Sequence, residues 1–452
     1  MTPSRIARHS IRRNRHGAPD ARFDEPEPPA WHIVRQMNDL AARWACPHQE
    51  ECGACGMLGM RHAEQLDRKR ALLGRELRGY DSLKGARLLD TLRSPEGVGY
   101  RNRARMAVGL SRHGGATLGY FRAGTREIVD APECGVLVPE LLETTRRLRN
   151  LLTTARFIPR KLRHLDLRCG SDPRRQHLTL VFRASEMPRF PLEELKRAAP
   201  AIDGISINLN PSSGPQVIRG SIRHLWGRRE IWVRHAGMKL RVSPGAFFQV
   251  NLSILPAIHE AIEAHLTGGR LLIDLYAGVG THGLALGGKY RRVLFAEGTR
   301  AAVADLKSTA RAIGRDDVEV LPTAVERSLR KLRERQPDAI VLNPSRAGAL
   351  ESVLAMIGGS SAKQVAYLSC EPATLCRDLD LLARQGYETV SVQPIDMMPQ
   401  TNQVEALALL RAVQRARPRP PDPPDRPAKV RRPGTRGGPK PRSKKGRAKR
   451  KA

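Results

Sequence analysis

Apolar residues recur along this chain in two rhythms, and the change falls near residue 245. Beyond it, short apolar runs sit at Leu271–Leu275, Val293–Ala296, Val318–Leu321, Ala339–Leu342, Val365–Leu368, Val390–Val392 and Ala406–Leu410. Stretches of helical spacing over 281–287, 299–313, 324–334, 347–357 and 373–385 separate the earlier runs, and Pro256 to Leu266 reads as a helix ahead of them. Strands alternating with helices predict an α/β fold with a parallel, doubly wound sheet. No helical stretch parts the last two runs, so they are expected to form an antiparallel hairpin at the sheet edge. The runs amount to a sheet of seven strands.

Before residue 245 the segments shorten. Arg105–Leu110, Leu178–Phe182 and Ile205–Leu209 read as strands bounded by Gly, Pro and Asn, within an α+β region from about 86 to 240. Residues 60–80 place Leu66, Leu72, Leu73 and Leu77 among many charges, the pattern of a surface helix. Residues 46–56 hold a tight cysteine cluster, and residues 1–45 are polar, basic and expected to carry little fixed structure. The chain therefore divides into a disordered basic arm (1–45), a cysteine loop with its helix (46–80), a central α+β domain (81–242), the doubly wound domain (243–412) and a disordered basic tail (413–452).

Charge narrows the choice of partner. The 452 residues hold 78 Lys and Arg against 45 Asp and Glu, a net of +33, which favours a polyanion, nucleic acid first. Residues 417–452 carry 15 Lys and Arg against 2 Asp, a net of +13, so the remaining +20 belongs to the rest of the chain. The tail is expected to bind phosphate without sequence preference and with steep salt dependence; a merely solubilising tail is the equal alternative. Aromatics are only 4%, which disfavours a single-strand stacking platform. No run of 18 apolar residues offers a membrane span, and no apolar signal core begins the chain. Seven unevenly spaced cysteines do not form a secreted disulfide framework, so a reducing cytoplasm is expected, with a monomer as the simplest state.

Ile273-Asp-Leu-Tyr-Ala-Gly-Val-Gly280 follows a strand and opens a helix, and the next strand ends in Glu297. The glycines permit a tight turn and close backbone approach to a ligand. A carboxylate at the end of the second strand can accept hydrogen bonds from a ribose diol. Together they fit adenosine bound without a pyrophosphate, as in S-adenosylmethionine; an ordinary turn with a solvated Glu is the plain alternative. Asp274 reads as support for the turn. Asn343 and Arg346, at the end of the fourth strand, are expected to face the cofactor crevice.

Cys370 ends the fifth strand and begins a helix, where the helix dipole favours thiolate. A lone cysteine is more often a small buried hydrophobe. Beside a methyl donor it gains a use. Carbon 5 of uracil is a poor nucleophile until a thiolate adds to carbon 6 and makes it enolate-like. A base must then remove the carbon-5 proton, and Glu405, a lone acid opening an apolar run, fits that role. Cys376 reads as structural.

Ser369-Cys-Glu-Pro-Ala-Thr-Leu-Cys-Arg-Asp378 resembles the Ser-Cys-Asn-Pro-x-Thr-x-x-x-Asp segment of the RNA uracil-C5-methyltransferase family. Asp396-Met-Met-Pro-Gln-Thr-Asn-Gln-Val-Glu405 resembles its Asp-Met-Phe-Pro-x-Thr-x-His-x-Glu segment, and Ser243-Pro-Gly-Ala-Phe-Phe-Gln-Val-Asn251 its Ser-Pro-x-x-Phe-x-Gln-x-Asn segment. Gly99-Tyr-Arg-Asn-Arg-Ala-Arg105 resembles its Tyr-Arg-Asn-Lys segment in the RNA-facing domain. The resemblance implies a class I methyltransferase in which Cys370 is the nucleophile and Glu405 the base, while Gln249, Tyr276, Glu297 and Asn343 hold S-adenosylmethionine. The chain departs from the family at Gln400 and Gln403, where histidines are common, at Asn343 for Asp, at Ser345 for Pro and at Glu371 for Asn. Glu371 sets a negative charge beside the nucleophile, which opposes thiolate formation unless Arg346 or Arg377 offsets it.

Cys46, Cys52 and Cys55 form one loop, with Cys134 or Cys169 as a fourth thiol, a set that suits zinc or an iron–sulfur cluster. His48 and His62 lie near and read as exposed loop residues. The ribosomal members that this chain resembles carry a [4Fe-4S] cluster on three close cysteines and one about eighty residues on, which implies Cys46, Cys52, Cys55 and Cys134. Residues 1–45 are too short and polar for the β-barrel domain of one ribosomal branch, so the resemblance implies 23S rRNA as the substrate of a shorter enzyme. Transfer RNA, or a binding and assembly factor that has lost turnover, are the alternatives.

Overall fold

In chain order, the computed structural model begins with helix α1 (His62–Leu77) and a two-residue strand β1 (Arg87–Leu88). The central region follows as β2 (Arg103–Leu110), β3 (Ala116–Phe121), β4 (Ile128–Asp130), α2 (Pro139–Thr154), β5 (Leu162–Cys169), β6 (Gln176–Phe182), α3 (Leu192–Ala198), β7 (Ile202–Leu209) and β8 (Ile222–Gly227). A ribbon of β9 (Ile231–His235) and β10 (Met238–Val242) leads into α4 (Leu255–His265). Then come β11 (Gly269–Leu275), α5 (Thr281–Leu286), β12 (Tyr290–Ala296), α6 (Arg300–Ala312), β13 (Val318–Leu321), α7 (Val325–Arg333) and β14 (Ala339–Leu342). The series closes with α8 (Glu351–Gly358), β15 (Gln364–Ser369), α9 (Pro372–Arg384), β16 (Tyr387–Ile395) and β17 (Glu405–Ala412). The described residues are 45–111, 115–154, 161–214 and 216–413; the basic arm and the tail expected from the sequence lie outside them, residues 45 and 413 apart.

The alternating apolar runs all become strands of one sheet, ordered β1-β16-β17-β15-β14-β11-β12-β13. Two apolar clusters cover its two faces. One includes Ile273, Leu275, Ile340, Leu342, Val365 and Tyr367; the other includes Leu272, Val293, Phe295, Val341, Ala366 and Leu368. Adjacent residues of one strand thus enter opposite clusters, which is why these strands read as continuous apolar runs. The final hairpin is antiparallel as expected, but it is not the edge. β17 inserts between β15 and β16, antiparallel to both, and β1 pairs with β16 as an eighth strand. Register puts Ser369 opposite Ala406 and Glu405 opposite Ile395.

The second sheet runs β4-β3-β2-β5-β6-β7-β8. Its alternate residues, among them Ala104, Met106, Leu165, Leu167, Leu178, Leu180, Ile205 and Ile207, build a third apolar cluster with Leu141 and Leu148 of α2 and Leu195 of α3. The opposite set is polar: Arg103, Arg105 and Arg168 converge on the wholly buried carboxylate of Asp166.

Among the described residues, no helix is long and apolar enough to cross a membrane.

Candidate active site

Three sequence segments meet where the two sheets join. Asn102 donates its backbone N–H to the Val250 carbonyl (2.9 Å) and its side-chain Nδ2 to the Gln249 carbonyl (3.1 Å). Asn251 is buried and donates Nδ2 to Ser94 Oγ (2.9 Å) and to the Met397 carbonyl (3.3 Å). Ser243 anchors the start of its segment through both N and Oγ to Asp305 of α6, each at 2.7 Å. The Tyr100 hydroxyl donates to the Pro399 carbonyl (3.0 Å). Asn102 and Asn251 are therefore joints between segments, and they leave the buried Gln249 at the junction.

The glycine turn follows β11. Gly278 and Gly280 have φ of 57° and 86°, and a Cβ on Gly280 would lie 2.2 Å from Leu306. Both positions need glycine. The Glu297 carboxylate reaches across from the end of β12, accepting from Gly278 N (2.9 Å) and Thr299 N (2.5 Å). Each of its oxygens keeps a second lone pair for a ligand hydroxyl. Tyr276 sits at φ 58°, and its hydroxyl donates to Glu326 of α7 (2.8 Å). Asp274 supports the turn by accepting from Gly283 N (2.8 Å). It is fully buried with Oδ1 unpartnered, and burial pushes it up to about 7.

Asn343, at the end of β14, touches His282 across a long 3.5 Å contact from Nδ2 to Nε2. His282 begins a row of three buried rings that sequence spacing did not reveal. His282 Nδ1 lies 2.9 Å from His259 Nε2, and His259 Nδ1 lies 2.5 Å from His235 Nε2. Burial holds His259 down at about 2 and His282 at about 4, so the row is neutral. If Asn343 donates, each ring accepts on Nε2 and carries its proton on Nδ1.

The nucleophile and base candidates meet through strand register. Because Ser369 pairs with Ala406, the next positions along the two strands are Cys370 and Glu405. Burial first, then the Glu405 carboxylate, raises the Cys370 thiol; Arg346 lowers it by charge and by a hydrogen bond. Burial pushes Glu405 up to about 7, against the pull of Lys69 and Arg346. The acid acting on Cys370 is thus Glu405, across the ladder. Glu371 serves as the N-cap of α9, and its backbone exchanges hydrogen bonds with Ser369 Oγ.

Arg346, expected at the cofactor crevice and also as one possible offset to charge at Cys370, acts on the Cys370 thiol. Its Nη2 donates to Gln403 Oε1 (2.9 Å), and Thr374 Oγ1 donates to its carbonyl (3.0 Å). Arg377 is engaged elsewhere, with Asp378 and the Ala347 carbonyl. Asp378 pins the same loop by accepting from Ala349 N (2.8 Å) and Tyr367 Oη (2.5 Å). Cys376 is wholly buried, as a structural thiol should be.

A family model described as tRNA (Uracil-5-)-methyltransferase matches residues 221–413. An uncharacterized RNA methyltransferase of Geobacter sulfurreducens is 32% identical, covering 84% of this chain and 79% of its own length. The chain belongs to the RNA uracil-C5-methyltransferase family. Another uncharacterized RNA methyltransferase, from Halalkalibacterium halodurans, is 31% identical and covers 81% of this chain and 82% of its own. The solved tRNA (uracil-54, C5)-methyltransferase of Pyrococcus abyssi, in complex with S-adenosyl-L-homocysteine, superposes with a TM-score of 0.65 at 24% identity. It covers 80% of this chain and 86% of that one, and carries the class I methyltransferase fold. RNA is thus the substrate class of this family.

The cysteine loop stands apart. Burial and the charges of Cys134, Cys52 and Cys46 push Cys55 up to about 12, so the four thiols are near enough to act on one another. Cys169 is buried in the third apolar cluster instead. Among the described residues, no group of three or more His, Cys, Asp or Glu converges as a metal site. His62 is no exposed loop residue: it opens α1 and lies 2.7 Å from Asp396.

Proposed function

We propose that this enzyme methylates carbon 5 of a uracil in 23S rRNA through a covalent adduct between Cys370 and carbon 6. What carries the reading is the register that sets Cys370 against Glu405, with the Arg346 charge acting to lower the thiol. The Cys370 thiolate adds to carbon 6, and the electron pair moves to carbon 5, which takes the methyl group and releases S-adenosylhomocysteine. Glu405 then removes the carbon-5 proton, the carbon 5–carbon 6 double bond reforms, and the thiolate leaves. Arg346 stabilises the thiolate at both ends of this sequence. Glu297 would take the ribose hydroxyls of S-adenosylmethionine, and Gln249, Tyr276 and Asn343 would line the rest of its site.

Cys46, Cys52, Cys55 and Cys134 would hold a [4Fe-4S] cluster. Their sulfur-only donor set suits one, and binding it would displace protons from Cys52, Cys55 and Cys134, whose thiols burial makes harder to ionise. The cluster favours the ribosomal reading by resemblance. Transfer RNA is the second reading, favoured by the substrate that the family model and the Pyrococcus abyssi enzyme are named for.

Mass mapping of 5-methyluridine in 23S rRNA and tRNA, from cells with and without the gene, decides between them. Loss of one rRNA site is expected; loss confined to tRNA overturns the ribosomal assignment. Cys370→Ala is expected to abolish methyl transfer while RNA binding persists. Retained turnover in that variant would sink the covalent route.

A further inference from the structure

We infer that helix α1 is a positioning element for the base. Its buried face, His62, Gln65 and Lys69, holds the turn 396–400 from which β17 and Glu405 issue, and Lys69 is the residue that couples the two. The inference rests on the reading of Glu405 as the base.

Spacings of three and four residues put His62, Gln65 and Lys69 on one side of α1. Gln65 and Lys69 are fully buried, which for a lysine demands a partner. Lys69 Nζ donates to Asp396 Oδ1 (2.5 Å) and to the Met398 carbonyl (2.9 Å); the other Asp396 oxygen takes His62 Nε2 (2.7 Å). Gln65 and Gln400 are joined twice, Gln65 Nε2 to Gln400 Oε1 (2.9 Å) and Gln400 N to Gln65 Oε1 (2.8 Å). Gln400 sits at φ 69°, a conformation that a non-glycine residue adopts only when its surroundings hold it.

The carbonyls of residues 397–400 are taken by four separate parts of the chain. Asn251 holds Met397, Lys69 holds Met398, Tyr100 holds Pro399 and the Met57 N–H holds Gln400 (2.9 Å). Such a turn has one conformation, so Glu405, five residues on, starts β17 from a fixed point. A buried ion pair contributes little net stability after desolvation, which makes orientation the better account of Lys69 and Asp396.

Lys69 also acts on the base itself. The charged and titratable groups that face Glu405 are Lys69 from α1, Arg346 after β14 and Cys370 after β15. Lys69 therefore connects the helix that follows the cysteine loop to the proton-abstraction step.

The test uses the full-length protein, S-adenosylmethionine and total RNA from cells lacking the gene. Adducts are followed on denaturing gels and methylated product by mass, from pH 5.5 to 8.5. Lys69→Met is expected to leave RNA affinity and adduct formation within about twofold while slowing adduct resolution at least tenfold. It should move the acid limb of the resolution profile to higher pH. Asp396→Asn, nearly isosteric, leaves the Lys69 charge uncompensated and is expected to move the limb to lower pH. A purely structural role moves neither limb, and unshifted profiles with normal resolution overturn the inference. Should Lys69→Met fail to fold, Asp396→Asn decides alone. Glu405→Gln separates the two claims: if it accumulates no adduct, the reading of the base fails, whatever the Lys69 variant does.

Discussion

Replacing Glu405 by Gln should make the protein more stable, and more so as pH rises. A carboxyl raised from its ordinary 4.5 to about 7 is destabilised in its ionised form by about 3 kcal/mol relative to the unfolded chain. Partial exposure at the end of β17 trims this to about 2 kcal/mol. The sign follows from the raised value. Below pH 4.5 the group is protonated in both states and nothing is lost. Between about 4.5 and 7 the unfolded chain ionises first, so wild-type stability falls; above 7 the loss is constant. Gln has no such loss. Guanidinium unfolding of wild type and Glu405→Gln at pH 4, 6 and 8 should therefore show a gap that opens by about 2 kcal/mol. Other titrating groups are common to both proteins and cancel. A gap that does not change with pH would refute a raised Glu405. The same value implies that adduct resolution by wild type weakens about tenfold per pH unit below 7.

Two further outcomes are expected. Gly280→Ala combines φ 86° with a Cβ driven into Leu306; it should cost about 2 kcal/mol or more and weaken S-adenosylmethionine binding in calorimetry, and wild-type affinity would remove the turn from the cofactor site. His259→Leu leaves His235 Nε2 and His282 Nδ1 without partners; it should cost about 2 kcal/mol and reduce cofactor affinity through the freed Asn343, whereas unchanged affinity would separate Asn343 from the histidine row.

The alternating half of the fold was legible because its strands are buried on both faces and its helices lie between them. Ala339–Leu342 and Val318–Leu321 were bounded to the residue. The insertion of β17 was not legible, because sequence order says nothing about which neighbour a last strand chooses. Nor was β1, whose two residues carry no periodicity. α1 was found as a helix, and Leu73 and Leu77 among its apolar positions are buried, but Leu66 and Leu72 are only half-buried and the fully buried Gln65 and Lys69 were not read as inward-facing. Hydrophobic patterning cannot register a lysine that is buried because an aspartate 327 residues away neutralises it. The histidine row draws on β9, α4 and α5, three elements with no common spacing. Cys370, Glu405 and Glu297 were identified by chemistry and resemblance. Of the two arginines weighed as an offset to charge at Cys370, Arg346 acts on the thiol while Arg377 is engaged by Asp378, a choice that sequence alone could not make.

The placement of β17 also has a temporal meaning. It is the last described strand in the chain and yet lies between two strands made before it. On the ribosome, the slot between β15 and β16 must stay open, or be filled provisionally, until nearly all of this chain has emerged. Cys370 and Glu405 cannot face each other before that strand is seated. A nascent or truncated enzyme could hold its methyl donor and touch RNA, yet it could not complete a methylation, nor become trapped on an RNA it cannot release.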